Sequence, residues 1–415
     1  MGNTDTLDEV FKRFESVSQI FRDREVLRHD YLPLSLPHRE EQICLLAEIV
    51  APVLKGARSS NIFIYGKTGT GKTAVTKHVL TRLELKSKEL GAAVRFSYVN
   101  CRMASSEYRV FACLCQSLGI SVPFTGLSVG EVFDRFRISL QASRTLFIII
   151  LDEIDALLKG RGDAFLYELT RVNETLEGSK VSLIGISNDL RMKEYLDPRV
   201  LSSLSEEEIV FRPYDAAELR NILQERASVA FFDGVLPDGT LGLCAALAAA
   251  EHGDARRALD LLRVAGEVGE RQGSTIISED HVREAEKHIE HNRIAEAVQN
   301  LTLHSKLVLL GVFHVNRLGV QSAATGEIFD VYGELCGELG IPALTQRRLC
   351  SLVNELDAMG LLNSKVVSMG RYGRTKKIRL ELARTTVKEV FARDARLASL
   401  TEYEPTSVEK RSYRS

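Results

Sequence analysis

Eight residues carry the plainest chemistry in the chain: Gly66, Lys67, Thr68, Gly69, Thr70, Gly71, Lys72 and Thr73, in the order G-x-x-x-x-G-K-T. Glycines at this spacing let backbone N–H groups turn inward around phosphate oxygens, and a helix starting behind them adds its partial positive charge. Lys72 then reaches the β- and γ-phosphates, Thr73 offers its hydroxyl to Mg2+, and Ala74 continues the turn. A second element, Phe147 to Asp155 (FIIILDEID), delivers two carboxylates after an apolar run. Asp152 is placed to hold Mg2+, through water because that ion keeps much of its shell. Glu153 is placed to orient and polarise an attacking water. Asp155 reads equally well as a capping or solvated residue. Together these groups describe a site for ATP and ADP with Mg2+.

Such groups need strands to deliver them. Asn61–Tyr65 and Phe147–Leu151 are short apolar runs of the kind that form strands buried on both faces. Val94–Val99, Val181–Ser187 and Glu208–Phe211 are further strand candidates, with room for helices between them. The pattern predicts a parallel α/β sheet. An amphipathic helix starts at Glu40, with apolar residues at Ile43, Leu46, Ala47 and Val50. After Tyr214 the strands stop, and helices are predicted over Ala217–Val229, Leu241–His252, Ala255–Arg271 and Ser278–Arg293. Asp215 and Ser278 are suited to cap the first and last of these. From about residue 295 the pattern becomes three helices followed by a β-hairpin.

At 415 residues, with 45% hydrophobic and 27% charged residues, the chain has material for two or three folded domains and is neither disordered nor fibrous in character. The seven cysteines form no C-x-x-C pair, which argues against a disulfide framework or a zinc site and points to a reducing, intracellular compartment. Cys113 and Cys115 read as small buried helix residues. The most apolar stretch, Leu241–Ala250, is half the roughly 20 residues that span a bilayer, so a soluble protein without membrane contact is expected.

The formal net charge of −2 does not announce a nucleic-acid partner, but the distribution does. Between Ser364 and Leu380 lie Lys365, Arg371, Arg374, Lys376, Lys377 and Arg379, with no acidic residue. Strands Leu362–Ser368 and Lys376–Leu382 bracket a tip containing Arg371, Tyr372, Gly373 and Arg374, suited to a minor groove. The helix starting at Thr345 puts Leu349, Leu352, Val353, Leu356 and Met359 on its apolar face. Gln346 and Arg347, with Arg348 beside them, are left for base edges or phosphates in the major groove. The predicted partner is double-stranded DNA.

The Asp-Glu pair after a strand resembles the AAA+ ATPase superfamily, and further matches follow in order. Asn188, in Ile186-Ser187-Asn188, resembles the sensor 1 position. Arg199, in Leu196 to Leu204, lies where such proteins carry an arginine that acts on a neighbouring subunit's nucleotide. Arg256, in Gly253-Asp254-Ala255-Arg256-Arg257, resembles the sensor 2 γ-phosphate contact. Leu36 to Glu40, Tyr98 to Arg102, Val122 to Ser128 and His252 to Leu262 resemble the archaeal replication-initiator family, and the likeness runs from about Phe21 to beyond Leu380. Those proteins are related to the largest origin-recognition subunit and to the helicase-loading factor of eukaryotes.

The resemblance implies a AAA+ base with an N-terminal extension (1–214), an all-helical lid (215–293), a C-terminal winged helix-turn-helix (294–395) and a tail (396–415). It implies Tyr214 and Arg226 as nucleotide contacts and Pro37, His38 and Arg39 near the adenine. A second DNA contact is implied at Pro123, Thr125, Gly126, Leu127 and Ser128. Leu201 stands where many members carry lysine, which leaves action of Arg199 across an interface open. The function implied is ATP-dependent replication initiation: binding origin DNA, with slow hydrolysis as a switch, in the cytoplasm on the chromosome. The replicative helicase and paralogous initiators are the implied protein partners. Branch-migration ATPases and nucleotide-tuned winged-helix transcription regulators share these modules and stand as alternatives.

Overall fold

The computed structural model describes residues 18–368 and 374–407. Two compact units divide the chain, one up to Ala285 and the other from Glu286.

In the first unit, α1 (Glu40–Val50) precedes β1 (Ile62–Gly66) and α2 (Lys72–Leu90). Then come β2 (Val94–Asn100), the single turn α3 (Cys101–Ala104), α4 (Glu107–Ser117), α5 (Val129–Ser143) and β3 (Leu146–Asp152). The helices α6 (Asp155–Arg161) and α7 (Ala164–Arg171), β4 (Lys180–Ser187), α8 (Pro198–Leu204) and β5 (Glu207–Phe211) complete the α/β part. The five strands are parallel in the order β2-β3-β4-β1-β5. β3 and β4 are buried almost end to end because helices cover both faces of the sheet, which explains their unbroken Ile/Leu/Val runs. One apolar cluster joins Phe63, Phe147, Ile149, Leu151 and Leu183 to α4 and α5, and the other joins Ile62, Ile64, Ile148, Ile150 and Ile184 to α1 and α2. The strand starts predicted from sequence fall within one residue of those observed.

The helices α9 (Ala216–Ala230), α10 (Asp238–Ala250), α11 (Ala255–Arg271) and α12 (Glu279–Gln299) follow. Asp215 caps α9 in a reciprocal box with Glu218, so the cap read from the sequence forms. Residues 20–27, which the sequence attaches to the base, pack on these helices: Phe21 bridges to Phe231 with ring centroids 5.0 Å apart, and the Arg22 N–H donates to Ala230 O. A Cβ at Gly266 would lie 2.5 Å from the Phe21 ring, so only glycine admits that ring.

The second unit holds α13 (Leu303–Arg317), β6 (Ala323–Ala324), α14 (Thr325–Glu338), α15 (Gln346–Ala358), β7 (Leu362–Ser368), β8 (Arg374–Leu380) and α16 (Arg384–Ala392). β7 and β8 form the antiparallel hairpin, and β6 adds to the outer edge of β8. That third strand and α16 are absent from the sequence reading; β6 is two residues long and carries no periodicity. Leu349, Leu352, Val353 and Leu356 bury the inner face of α15, whereas Met359, assigned to that face, is 58% exposed beyond the helix end. Cys115 is buried in α4, and Cys113 is only partly so. Among the described residues no helix is long and apolar enough to cross a membrane.

Candidate functional site

β1 ends at Gly66 and α2 begins at Lys72, so the glycine-rich segment is the strand-to-helix turn at the carboxyl edge of the sheet, where α/β folds place ligands. Gly69 and Gly71 adopt φ of +71° and +90°. Crowding reinforces the choice: a Cβ at Gly69 would fall 1.7 Å from the Asp254 side-chain Oδ1, and one at Gly66 would fall 2.3 Å from the backbone Phe211 O. The Lys72 ammonium donates to Gly66 O at 2.8 Å and Lys67 O at 2.7 Å, and burial pushes its pKa down to about 8. Thr70 Oγ1 donates to Lys67 O, closing the turn on itself.

The acidic pair lies alongside. The Thr73 hydroxyl donates to Asp152 Oδ2 at 2.9 Å, and the Glu153 N–H donates to Asp152 Oδ1 at 2.9 Å. Glu153 sits at φ +53°, a left-handed conformation that a non-glycine residue adopts only where its surroundings fix it. Its carboxylate is 3.6 Å from an Arg102 guanidinium nitrogen. Asp155, ambiguous in the sequence, takes a defined place: its Oδ1 accepts the Ser187 hydroxyl at 3.0 Å and the Asn188 N–H at 3.1 Å. It thereby ties the end of β4 to the start of α6.

The phosphate turn and the acidic pair open onto one cavity of about 310 Å³. Of the sequence-predicted residues, Pro37, Gly69, Thr70, Gly71, Lys72, Thr73, Ala74, Asp152, Glu153, Asn188, Tyr214, Arg226 and Arg256 line it. The Arg256 side chain is exposed at the cavity wall contributed by α11. The donor set suits a nucleotide with Mg2+: a buried ammonium, inward-turned amides, and a hydroxyl and carboxylate already in contact as hard oxygen ligands.

Several predicted residues fall elsewhere. Gly66, Lys67, Thr68, His38 and Arg39 are not in the cavity lining. Arg39 is buried, with its guanidinium donating to Thr70 O, His38 O and Arg212 O at 2.8–2.9 Å and stacked 3.7 Å from the Tyr214 ring centroid. It clamps the phosphate turn to the end of β5. Arg226 lines the cavity but spends its guanidinium on Val26 O and Tyr31 O, holding the 26–31 segment as a wall. Arg199 lies exposed on α8, outside the cavity. Leu201 is partly buried and packs against the apolar cluster that includes Val200 and Leu204.

Sequence reasoning missed Tyr31, Lys77, Tyr98, Asn100, Ile222 and Leu259 as lining residues. None belongs to a nucleotide motif. Tyr98 and Asn100 stood inside a segment quoted only for its resemblance, and they share one face of β2 by period-2 spacing.

On the candidate nucleic-acid faces, Pro123, Thr125 and Gly126 are exposed, with Pro123 O accepting from the Tyr108 hydroxyl. Leu127 packs on the core, and the Ser128 hydroxyl caps α5 by accepting the Glu131 N–H. Leu127 is thus partly buried, whereas Ser128 stays exposed at the helix start. Gln346, Arg347 and Arg348 are exposed in the first turn of α15, with Arg348 3.7 Å from Glu355. The Lys376 ammonium donates to Asn354 Oδ1, joining β8 to α15. Arg371, Tyr372 and Gly373 lie outside the described residues; Arg374 begins β8.

Comparison with known proteins agrees on the modules. Residues 57–192 match the family described as AAA domain, 220–287 the Cdc6 AAA+ ATPase-type lid domain, and 296–390 the CDC6 C-terminal winged helix domain. An ORC1-type DNA replication protein of Thermococcus onnurineus is 50% identical over 398 residues, 95% of this chain and 96% of that one. One from Pyrococcus abyssi is 51% identical over 392 residues, 94% of each. The structure of the Aeropyrum pernix ORC1 protein in complex with DNA is 49% identical, with a TM-score of 0.85, covering 93% of this chain and all of that one.

Proposed function

The chain belongs to the family of ORC1-type DNA replication proteins, AAA+ ATPases with a Cdc6-type lid and winged helix, and from that premise we propose that it binds origin DNA and initiates replication under the control of an ATP switch. The observation that carries the switch is the convergence of Lys72, Thr73, Asp152, Glu153 and Asn188 from the base with Arg256 from the lid on one cavity. Nucleotide bound there touches both parts, so its state sets the angle between them.

In this reading the amides of Gly69 to Thr73 and the Lys72 ammonium, released from Gly66 O and Lys67 O, hold the phosphates. Thr73 and Asp152 would hold Mg2+, which would supply positive charge against the phosphates. Glu153 orients water for in-line attack on the γ-phosphorus, the bond to the β-γ bridging oxygen breaks, and ADP leaves. Asn188 and Arg256 steady the γ-phosphate. Glu153 first gives up its Arg102 partner, and the strained backbone at 153 fixes its direction; slow turnover suits a switch.

DNA is bound by the winged helix, with Gln346, Arg347 and Arg348 in the major groove and the hairpin tip of Arg371, Tyr372, Gly373 and Arg374 in the minor groove. Pro123, Thr125 and Gly126 add a second contact from the ATPase module. The relative solved with DNA supports this partner. Loading of the replicative helicase and pairing with paralogous initiators complete the proposal, as does Arg199 acting on a neighbour's nucleotide.

Two experiments test it. Glu153→Gln retains ATP binding and loses turnover by about 100-fold, the scale of a missing general base; undiminished hydrolysis would move the water-positioning role elsewhere. Mapping the chromosomal sites bound in cells against replication start points decides the biology. Sites confined to promoters would replace initiation with transcriptional control.

A further inference from the structure

We propose that Tyr98 is a positioning residue for the metal site, fixing the Asp152 carboxylate through its hydroxyl. The inference rests on Asp152 serving Mg2+, as proposed above. Tyr98 lies on β2, the edge strand beside β3, where Asn100 pairs with Asp152 and Tyr98 with Ile150. Paired residues of parallel strands share a face, so Tyr98 stands one pleat behind Asp152 on the same side of the sheet. A short side chain at 98 does not bridge that offset. A tyrosine does, and its hydroxyl donates to Asp152 Oδ2 at 2.5 Å.

The rest of the carboxylate's environment gives this bond its weight. Asp152 is 4% exposed. Oδ1 accepts the Glu153 N–H, and Oδ2 accepts the Thr73 and Tyr98 hydroxyls. Lys72, the cation of the phosphate turn, gives its protons to backbone carbonyls instead. The carboxylate is therefore oriented by neutral hydrogen-bond donors. Thr73 is itself a metal ligand in the proposed site, so Tyr98 is the side-chain donor to Oδ2 whose only task is orientation.

The ring is fixed in turn. Lys77, from α2, holds its ammonium 4.8 Å from the ring centroid. Tyr98 forms part of the wall between the nucleotide cavity and a second groove of about 810 Å³ lined by Met103, Tyr108 and Phe124. Outer-shell partners of this kind change metal affinity about 10–100-fold when removed.

The test compares wild type, Tyr98→Phe and Asp152→Asn in binding a fluorescent ATP analogue, first with EDTA and then across a Mg2+ titration. Phenylalanine keeps the ring, its packing and the Lys77 contact, and removes only the hydroxyl. The expected result for Tyr98→Phe is a Mg2+ midpoint raised about tenfold, with a much smaller change of affinity in EDTA. Asp152→Asn raises it further. An unmoved midpoint in Tyr98→Phe beside a shifted Asp152→Asn would overturn the positioning role and leave the metal site standing. Equal losses with and without Mg2+ would overturn it in favour of a packing role. An unmoved midpoint in both variants would overturn the metal assignment and the inference with it.

Discussion

Asp155 Oδ1 accepts the backbone N–H of Asn188 at 3.1 Å, so the residue that starts the helix behind the acidic pair also sets the residue just after β4. The same oxygen takes the Ser187 hydroxyl. Asp155 thus links the segments that follow β3 and β4 beside the cavity, without lining it itself.

Replacing Asp155 with alanine removes this link and is expected to lower single-turnover ATP hydrolysis about tenfold, the cost of misplacing one oriented donor. Asparagine keeps an acceptor at Oδ1 and restores most of the rate. If alanine and asparagine behave alike, the carboxylate's charge matters and the geometry does not.

Arg39 provides a second case in which position outweighs residue type. Alanine there orphans the carbonyls of Thr70, His38 and Arg212 and empties a buried site. A loss of about 3 kcal/mol in unfolding free energy is expected, since each unsatisfied buried group costs roughly 1–3 kcal/mol. Lysine does not rescue, because one ammonium cannot reproduce the guanidinium fork. Urea unfolding of the three proteins measures it; rescue by lysine would contradict the clamp.

In the winged-helix unit, His314 is fully buried, its Nε2 2.9 Å from Leu400 O, and its Nδ1 has no partner. Burial pushes its pKa down to about 4 from an unfolded value near 6.5. The unfolded chain therefore binds the proton first. Stability from this residue is complete above pH 6.5 and falls as pH drops toward 4. Between pH 7 and 5 wild type loses about 2 kcal/mol more than His314→Gln, at about 1.4 kcal/mol per pH unit below 6.5. Parallel pH dependence of the two in urea unfolding would show that His314 titrates freely.

For the hairpin, the double substitution Arg371→Ala, Arg374→Ala is expected to weaken duplex binding at least about tenfold. It also flattens the salt dependence by about two contacts while leaving ATP affinity unchanged. Filter binding across a salt series reads both. Unchanged DNA affinity would remove the hairpin tip from the interface.

Much of this protein is written locally. The phosphate turn needs only its own glycines and the strand and helix on either side, and FIIILDE announces a buried strand with carboxylates at its edge. The alternation of β7 and β8 and the apolar face of α15 are likewise properties of contiguous residues, because backbone periodicity is set by near neighbours. Archaeal initiator-like segments supplied the order of the modules. What the sequence could not assign were functions that depend on residues far apart in the chain. The sequence places Arg39 near a base, and only the packing of β5 against the phosphate turn gives it three carbonyls. Leu201 reads as a missing cation until the core beneath it is seen. Asp155 and Tyr98 gain their partners through strand order, β2 beside β3 beside β4. A hydrogen bond between strands follows from register and reach, and neither is legible in the chemistry of the two residues taken alone.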